Sequence, residues 1–356
     1  MSILGQCDAK GVAEPSAMKF LVWGAGAIGG TIGAHLARAG HEITFVDRAE
    51  EHVAAINKAG LRIEGPLTQF VCRIPSFIPD ELNGEFERIV LAVKAQDTEA
   101  ATRALAAHLS ADGYVVSAQN GLNELIIKDV VGDARTMGCF VNFGADYLEP
   151  GAIQYAGRGA VVLGEIDGRV TPRIGELHRA FRDFDDAATV TANIWGYLWA
   201  KLAYGAQLFA TALTNDSIAD ALADPRYRDV YVEVAREVMR VARARNITPE
   251  GFNGFDPHAF APEAAREMAE RSLDEMVAFN RRSAKTHSGI WRDIAVRKRR
   301  TETDAQLGPI VTLGAEAGVA TPLVSRLIEL MHEVEDGKRP QSHATLDLLR
   351  AAVLTG

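Results

Sequence analysis

The stretch Lys19-Phe20-Leu21-Val22-Trp23-Gly24-Ala25-Gly26-Ala27-Ile28-Gly29 decides how the first half of the chain is read. A short apolar run, Lys19 to Trp23, leads straight into glycines, and Ala25 to Ala39 then carries a helical pattern closed by Gly40. That is strand, turn, helix. Glu42 to Val46 follows as a β-branched strand ending in Asp47-Arg48, and Glu50 to Ala59 is a helical stretch stopped by Gly60. In such a βαβ unit the first glycine permits a tight turn, the second lets backbone approach a pyrophosphate, and the third lets helix pack on strand. The first amides of the helix then face the phosphates. Gly24, Ala25, Gly26, Ala27, Ile28 and Gly29 are therefore read as a dinucleotide-binding turn. A turn that merely packs would have to explain both the spacing and the strand-to-helix position.

Asp47 at the end of the second strand suits the adenine-ribose hydroxyls of NAD and repels a 2′-phosphate, so NAD(H) is favoured over NADP(H). Arg48 is the competing cue, since it suits the extra phosphate. Further strands are read at Arg88–Val93, Tyr114–Ser117, Thr136–Val141 and Ala160–Leu163, with helical stretches at Thr98–His108 and Glu124–Val130. After about Thr191 apolar residues recur at helical spacing in Trp195 to Leu213, at Val230, Val234, Val238 and Val241, and at Leu323, Leu327, Leu330 and Val334. The fold class expected is α/β: a Rossmann-type doubly wound domain over 18–191, then an all-helical domain over 192–356. Residues 1–17 are small and polar without period and read as a disordered extension, with Met18 a candidate start.

A chain of 356 residues that is 47% hydrophobic has material for two domains. Its net charge of -9 argues against nucleic acid or an anionic membrane as partner, because both need a positive field. The three cysteines, Cys7, Cys72 and Cys139, have neither zinc-site spacing nor the even count of a disulfide framework, and the nine histidines show no metal-ligand spacing, so no metal is expected. No run approaches a membrane span and no signal-like start precedes the first strand, so a cytoplasmic protein is expected. Apolar faces on the second-half helices allow a homodimer.

Beyond the turn, the chain carries Val93-Lys94-Ala95, Asn120-Gly121 after a strand, Lys201-Leu202 early in the helical half, and Arg300-Thr301-Glu302-Thr303-Asp304. In this order and spacing, over nearly all of residues 18 to 335, it resembles the ketopantoate reductase (2-dehydropantoate 2-reductase) family. The resemblance implies a cleft between the two domains where a small anionic 2-oxo acid is reduced to the 2-hydroxy acid. It implies that Lys201 is the acid/base, that Asn120 orients substrate and nicotinamide, that Glu302 binds the substrate hydroxyl, and that Lys94 supports the cofactor side. The chemistry agrees for the lysine: hydride arriving at a carbonyl carbon leaves charge on oxygen, which an ammonium can stabilise and protonate. Read alone, each has a plainer role: Lys201 a snorkelling helix residue, Glu302 a solvated carboxylate, Asn120-Gly121 a turn and Lys94 a strand-end charge.

The chain also departs from that family. Asparagines that contact substrate four and eight residues after the lysine are replaced by Gly205 and Phe209, which puts ketopantoate itself in question. The family's carboxylate-binding serine has no ungapped equivalent. Instead the region from Lys285 to Arg292, together with Arg297-Lys298-Arg299-Arg300, carries six positive charges against Asp293. Besides a solvated basic face, this admits a carboxylate-binding lip of His287, Ser288 and Arg292, because arginine pairs bidentately with carboxylates. His287 is also the rival acid/base. The rival functions are a dehydrogenase for another hydroxy acid, a hydroxyacyl thioester or an opine-like substrate, and a non-catalytic dinucleotide sensor.

Overall fold

In the computed structural model, residues 5–6, 17–252, 254–282 and 286–355 are described. They fall into two compact units, the first running to Gln119 and resuming over Asn123–Ile194, the second comprising Asn120–Leu122 and Trp195–Gly356.

The first unit is built on an eight-stranded sheet ordered Thr189–Val190, Val161–Glu165, Thr136–Val141, Leu109–Ser117, Phe86–Leu91, Lys19–Trp23, Glu42–Val46, Ser76–Phe77. Every neighbouring pair is parallel except Thr136–Val141 with Val161–Glu165. Taken from Ser76–Phe77 inward, six strands follow the chain order 3-2-1-4-5-6 of a Rossmann sheet. Strands of such a sheet are buried on both faces and must be apolar throughout. Phe20, Leu21, Val22, Ile89, Val90 and Leu91 accordingly have no accessible surface. One face packs against Ile32 and Leu36 of the helix Ala27–Arg38 and Ile174, Leu177 and Phe181 of the helix Pro172–Phe184. The other packs against Ala101, Leu105 and Ile127 from the helices Thr98–Leu105 and Glu124–Val131.

A second sheet escaped the sequence reading. It orders Gly5–Gln6, Phe70–Cys72, Leu61–Glu64, Ala152–Gly157 and Gly144–Glu149, the last two joined as a hairpin. Its outer strand Gly144–Glu149 buries no residue fully, so it lacks the alternation that marks a half-buried strand. Gly5–Gln6 pairs in parallel with Phe70–Val71, a departure from the expected unstructured 1–17; residues 1–4 and 7–16 of that extension lie outside the described residues.

The second unit is helical, with Ile194–Thr211, Arg228–Ala244, Arg266–Arg281, Thr303–Glu316, Pro322–Glu335 and His343–Thr355 as its longer helices. Trp199, Phe209, Tyr231 and Phe260 are among its fully buried side chains. Buried Glu237 accepts the Leu323 and Val324 amides at 3.1 and 2.7 Å, satisfying the first turn of Pro322–Glu335 from the neighbouring helix. No helix of the described residues is long and apolar enough to cross a membrane.

Candidate active site

The three glycines of the turn occupy three different environments. Gly24 has φ +99°, and a Cβ there would stand 2.8 Å from the Ala92 carbonyl carbon and the Val93 nitrogen. It thus lies where the first and fourth strands of the sheet end side by side, the switch point at which open α/β sheets bind ligands. A Cβ on Gly29 would stand 2.1 Å from the Gly24 carbonyl oxygen, so that glycine is needed for the helix to close on the turn. Gly26 is different. Its φ is -70°, nothing lies within 4 Å of where its Cβ would be, and it is half-exposed with Ala27 and Ile28 while Gly24, Ala25 and Gly29 are buried. No contact with a described residue asks for glycine there. Helix Ala27–Arg38 starts at this point with no side-chain cap, leaving its first amides facing outward.

The Ala25 peptide is gripped from both sides. Its N–H donates to Asp47 Oδ2 at 2.8 Å, and its carbonyl accepts from His52 Nε2 at 2.9 Å. His52 is buried on the helix Glu50–Ala59, and its Nδ1 accepts the Gly151 N–H at 3.0 Å. A ring accepting at Nδ1 and donating at Nε2 is the neutral tautomer. In a trans peptide the carbonyl and the following N–H point opposite ways. Holding the Ala25 carbonyl inward therefore turns the Gly26 N–H away from His52. No periodicity or motif singled out His52.

Asp47 also accepts the Ala49 N–H through Oδ1 at 3.0 Å, and each carboxylate oxygen retains a second acceptor direction for ribose hydroxyls. Arg48, exposed, donates to Asp97 at 2.8 Å. Lys94 is exposed and precedes the short helix Ala95–Asp97. Asn120, exposed, precedes Gly121 with φ +101°. Buried Gln119 donates to the Val93 carbonyl at 2.9 Å and to Thr98 Oγ1 at 2.8 Å, while Thr98 donates to Asn123 Oδ1 at 2.8 Å. That chain fixes the backbone on either side of Asn120, and Gln119 too went unrecognised in the sequence.

In the second unit, the helix Ile194–Thr211 is buried around most of its circumference. Tyr197, Lys201, Tyr204, Gly205 and Leu208 are half-exposed, and their spacing of three and four places them on one stripe. Lys201 and Gly205 share it. Phe209 falls off the stripe and has no accessible surface, so it is a core residue and presents nothing to a substrate. Glu302, buried, stands at the start of the helix Thr303–Glu316. Its neighbour Thr301 is held by Glu335, which accepts from the Thr301 N–H at 2.9 Å and hydroxyl at 2.6 Å.

Three arginines of the basic segment have carboxylate partners. Buried Asp293 accepts from Arg297 and Arg299 at 3.0 and 2.9 Å, and Arg300 pairs with Glu335 and Asp336. Ser288 is buried and caps the helix Gly289–Ala295 by accepting the Trp291 N–H at 3.1 Å. His287 lies on the Trp291 ring at 4.0 Å with Nδ1 beside the Thr286 hydroxyl at 2.9 Å. Arg292 follows Ser288 by one turn, its N–H bonded to the Ser288 carbonyl. Their closeness is that of consecutive helical residues, and the Ser288 oxygen is already engaged as a cap. Among the described residues no cluster of His, Cys, Asp and Glu could hold a metal ion.

A Rossmann sheet with an outward-facing glycine turn, joined in sequence to a helical unit bearing a lysine on a half-exposed stripe, defines a nicotinamide-dinucleotide-dependent oxidoreductase. Comparison with known proteins supplies the family. Residues 20–168 match the family described as ketopantoate reductase PanE/ApbA, and residues 193–335 match its C-terminal domain. The chain belongs to that family. It is 31% identical over 317 residues to 2-dehydropantoate 2-reductase of Archaeoglobus fulgidus, covering 89% of this chain and 97% of the relative. It is 34% identical over 317 residues to that of Pyrococcus abyssi, covering 86% and 94%. Among solved structures, a PanE/ApbA family ketopantoate reductase from Ralstonia eutropha superposes with TM-score 0.76 at 26% identity, covering 90% of this chain and 99% of that one. D-mandelate dehydrogenase with NADH and anilino(oxo)acetate has the same fold, with TM-score 0.78 at 23% identity and coverage of 90% and 99%.

Proposed function

We propose that the protein reduces a small 2-oxo acid to the corresponding 2-hydroxy acid, using NADH in preference to NADPH. The observation that carries the cofactor site is Gly26: a glycine with ordinary φ and open space at its Cβ position, at the start of a helix whose first amides face outward. Gly24, Ala25, Ala27, Ile28, Gly29 and Lys94 complete that site, with Asp47 on the ribose hydroxyls. The Arg48–Asp97 pair supports NADH, because Arg48 already has a carboxylate partner and Asp97 adds negative charge near a would-be 2′-phosphate. D-mandelate dehydrogenase, of the same fold, is described with NADH.

The bound dinucleotide supplies hydride to the carbonyl carbon. Lys201 stabilises the charge that appears on the carbonyl oxygen and gives it a proton, Asn120 orients the substrate, and Glu302 accepts from the new hydroxyl. Lys201 is preferred over His287 because its stripe is walled by buried apolar residues, where a positive charge acts through a low dielectric, whereas the His287 ring is stacked on Trp291. Arg292 remains the arginine of the proposed carboxylate lip. A homodimer in the cytoplasm completes the reading; a dimeric ketopantoate reductase from Staphylococcus aureus shares the fold, and the net charge of -9 disfavours nucleic acid.

Gly26→Ala tests the core of this proposal. Because the added methyl meets no atom of the described residues, thermal stability should be unchanged while NADH affinity falls by tenfold or more, about 1.4 kcal/mol. Unchanged NADH binding would remove the turn from the site. With 2-oxo acids as substrates, wild-type kcat/KM should favour NADH over NADPH; parity or reversal would remove the Asp47 argument.

A further inference from the structure

Glu335 ends the helix Pro322–Glu335, and its side chain is only 3% exposed. A carboxylate is opposed twice in that place: the C-terminus of a helix already carries negative partial charge, and burial strips the group of water. Its partners come from the segment that leads into the helix Thr303–Glu316. Oε1 accepts the Thr301 N–H at 2.9 Å and the Thr301 hydroxyl at 2.6 Å, and Oε2 faces the Arg300 guanidinium at 3.4 Å.

That segment contains Glu302. A carboxylate only accepts, so the Thr301 hydroxyl gives its proton to the bond with Glu335 and must accept from its other neighbours. These are the Thr303 hydroxyl at 2.6 Å and the Thr303 N–H at 3.3 Å. The order of donation is thereby fixed, Thr303 to Thr301 to Glu335, and it passes over Glu302. Glu302 is the N-cap of the helix, where a carboxylate is drawn toward the first amides, yet it makes no side-chain capping bond. Thr301 takes up one of those amides instead, and Glu335 holds Thr301 in place by both its N–H and its hydroxyl.

We propose that Glu335 is a positioning residue for Glu302: by fixing Thr301 as the acceptor of the Thr303 amide, it keeps the Glu302 carboxylate off its own helix and available to the substrate hydroxyl. This rests on Glu302 as the group that binds that hydroxyl. Without Glu335 the Thr301 hydroxyl is released, and Glu302 turns back to cap the helix. The loss then falls on substrate handling and spares NADH binding, because no residue of the cofactor turn takes part.

The test is a double-mutant cycle of Glu335→Leu with Glu302→Gln. It is read as kcat/KM for 2-dehydropantoate or 2-oxobutyrate, whichever turns over faster, with NADH Kd measured in parallel. Glu335→Leu alone should lower kcat/KM by about tenfold while NADH Kd stays within about twofold. In the Glu302→Gln background the same change should cost less than about twofold, because the group it positions is gone. Glu335→Gln, which keeps an acceptor for Thr301, should recover most of the activity. Thr301→Val, which keeps the N–H and loses the hydroxyl, should share the loss, and it takes the place of Glu335→Leu in the cycle if that variant does not fold. A role in helix packing alone would lower activity by the same factor in both backgrounds; that result, or wild-type kcat/KM in Glu335→Leu, overturns the positioning role and leaves the reading of Glu302 in place. Unchanged kcat/KM in Glu302→Gln alone overturns the reading of Glu302 and this proposal with it.

Discussion

Gly26 and Gly205 each leave open space where a side chain would stand, but the sites around them are made of different material. Around Gly26 the working groups are backbone amides, oriented because Asp47 and His52 hold the Ala25 peptide at 2.8 and 2.9 Å. Around Gly205 the proposed groups are side chains, Lys201 on one helix and Glu302 at the start of another. A backbone site works only with particular residues at fixed local spacing. A side-chain site is assembled from distant turns of helix, each unremarkable alone. The first should govern cofactor affinity and the second turnover and substrate choice, and variants that separate those readouts test the division.

The largest effect belongs to Lys201→Ala. A positioned acid/base contributes about 10²–10⁴-fold, so kcat/KM should fall by roughly a thousandfold while NADH affinity stays within a factor of about two. Loss of NADH binding in this variant would break the division between the sites, and retention of turnover would move the proton to His287.

This division also explains what could be read from the chain beforehand. The Rossmann unit was legible because strands buried on both faces must be apolar and because Gly24 and Gly29 answer to steric demands, φ +99° in one case and a carbonyl 2.1 Å from the absent Cβ in the other. The hairpin Gly144–Glu149 and Ala152–Gly157 was not legible, since its outer strand stays half-exposed. In the helical unit the amphipathic periods could be seen, and the motif order pointed to Lys201 and Glu302. Phe209, which the family resemblance sets at the place of a substrate-contacting asparagine, has no accessible surface and belongs to the core. Within the basic segment, Arg300 is paired with Glu335 and Asp336, carboxylates distant in sequence that only the folded chain brings to it.

His52→Leu should have an intermediate effect of the opposite kind. Leucine keeps apolar bulk but removes the donor to the Ala25 carbonyl, so the Gly26 N–H is no longer aimed. A net hydrogen bond is worth about 0.5–1.5 kcal/mol, which corresponds to a rise in NADH Kd of about twofold to tenfold, with kcat at saturating NADH unchanged. His52→Gln, which retains a donor, should recover part of the loss. A fall in kcat without a change in Kd would show that His52 does not act through the turn.

The smallest effect concerns pH and probes whether cofactor affinity can be separated from the stability of the helix that carries the turn. His35 lies on Ala27–Arg38 with Nδ1 2.8 Å from the Thr31 carbonyl and its ring against Phe70, Tyr155 and Phe184. Burial pushes its pKa below the ordinary 6.5, outweighing the Thr31 bond that pulls it up; Arg38 lowers it further and Asp185 raises it. The unfolded chain therefore takes up the proton more readily than the folded one. Stability from this residue is fully present above about pH 6.5 and is lost as pH falls from there through the lowered folded pKa. Urea midpoints for wild type and His35→Gln at pH 7.5 and 5.5 should show a larger acid-induced drop in wild type, since other titrating groups cancel in the difference. NADH Kd at pH 7.5 should be the same in both, because His35 touches neither Asp47 nor the Ala25 peptide. An equal drop in both proteins would remove His35 from the pH response, and a change in Kd at pH 7.5 would mean that the turn depends on the far end of its helix as well as on the two residues that grip it.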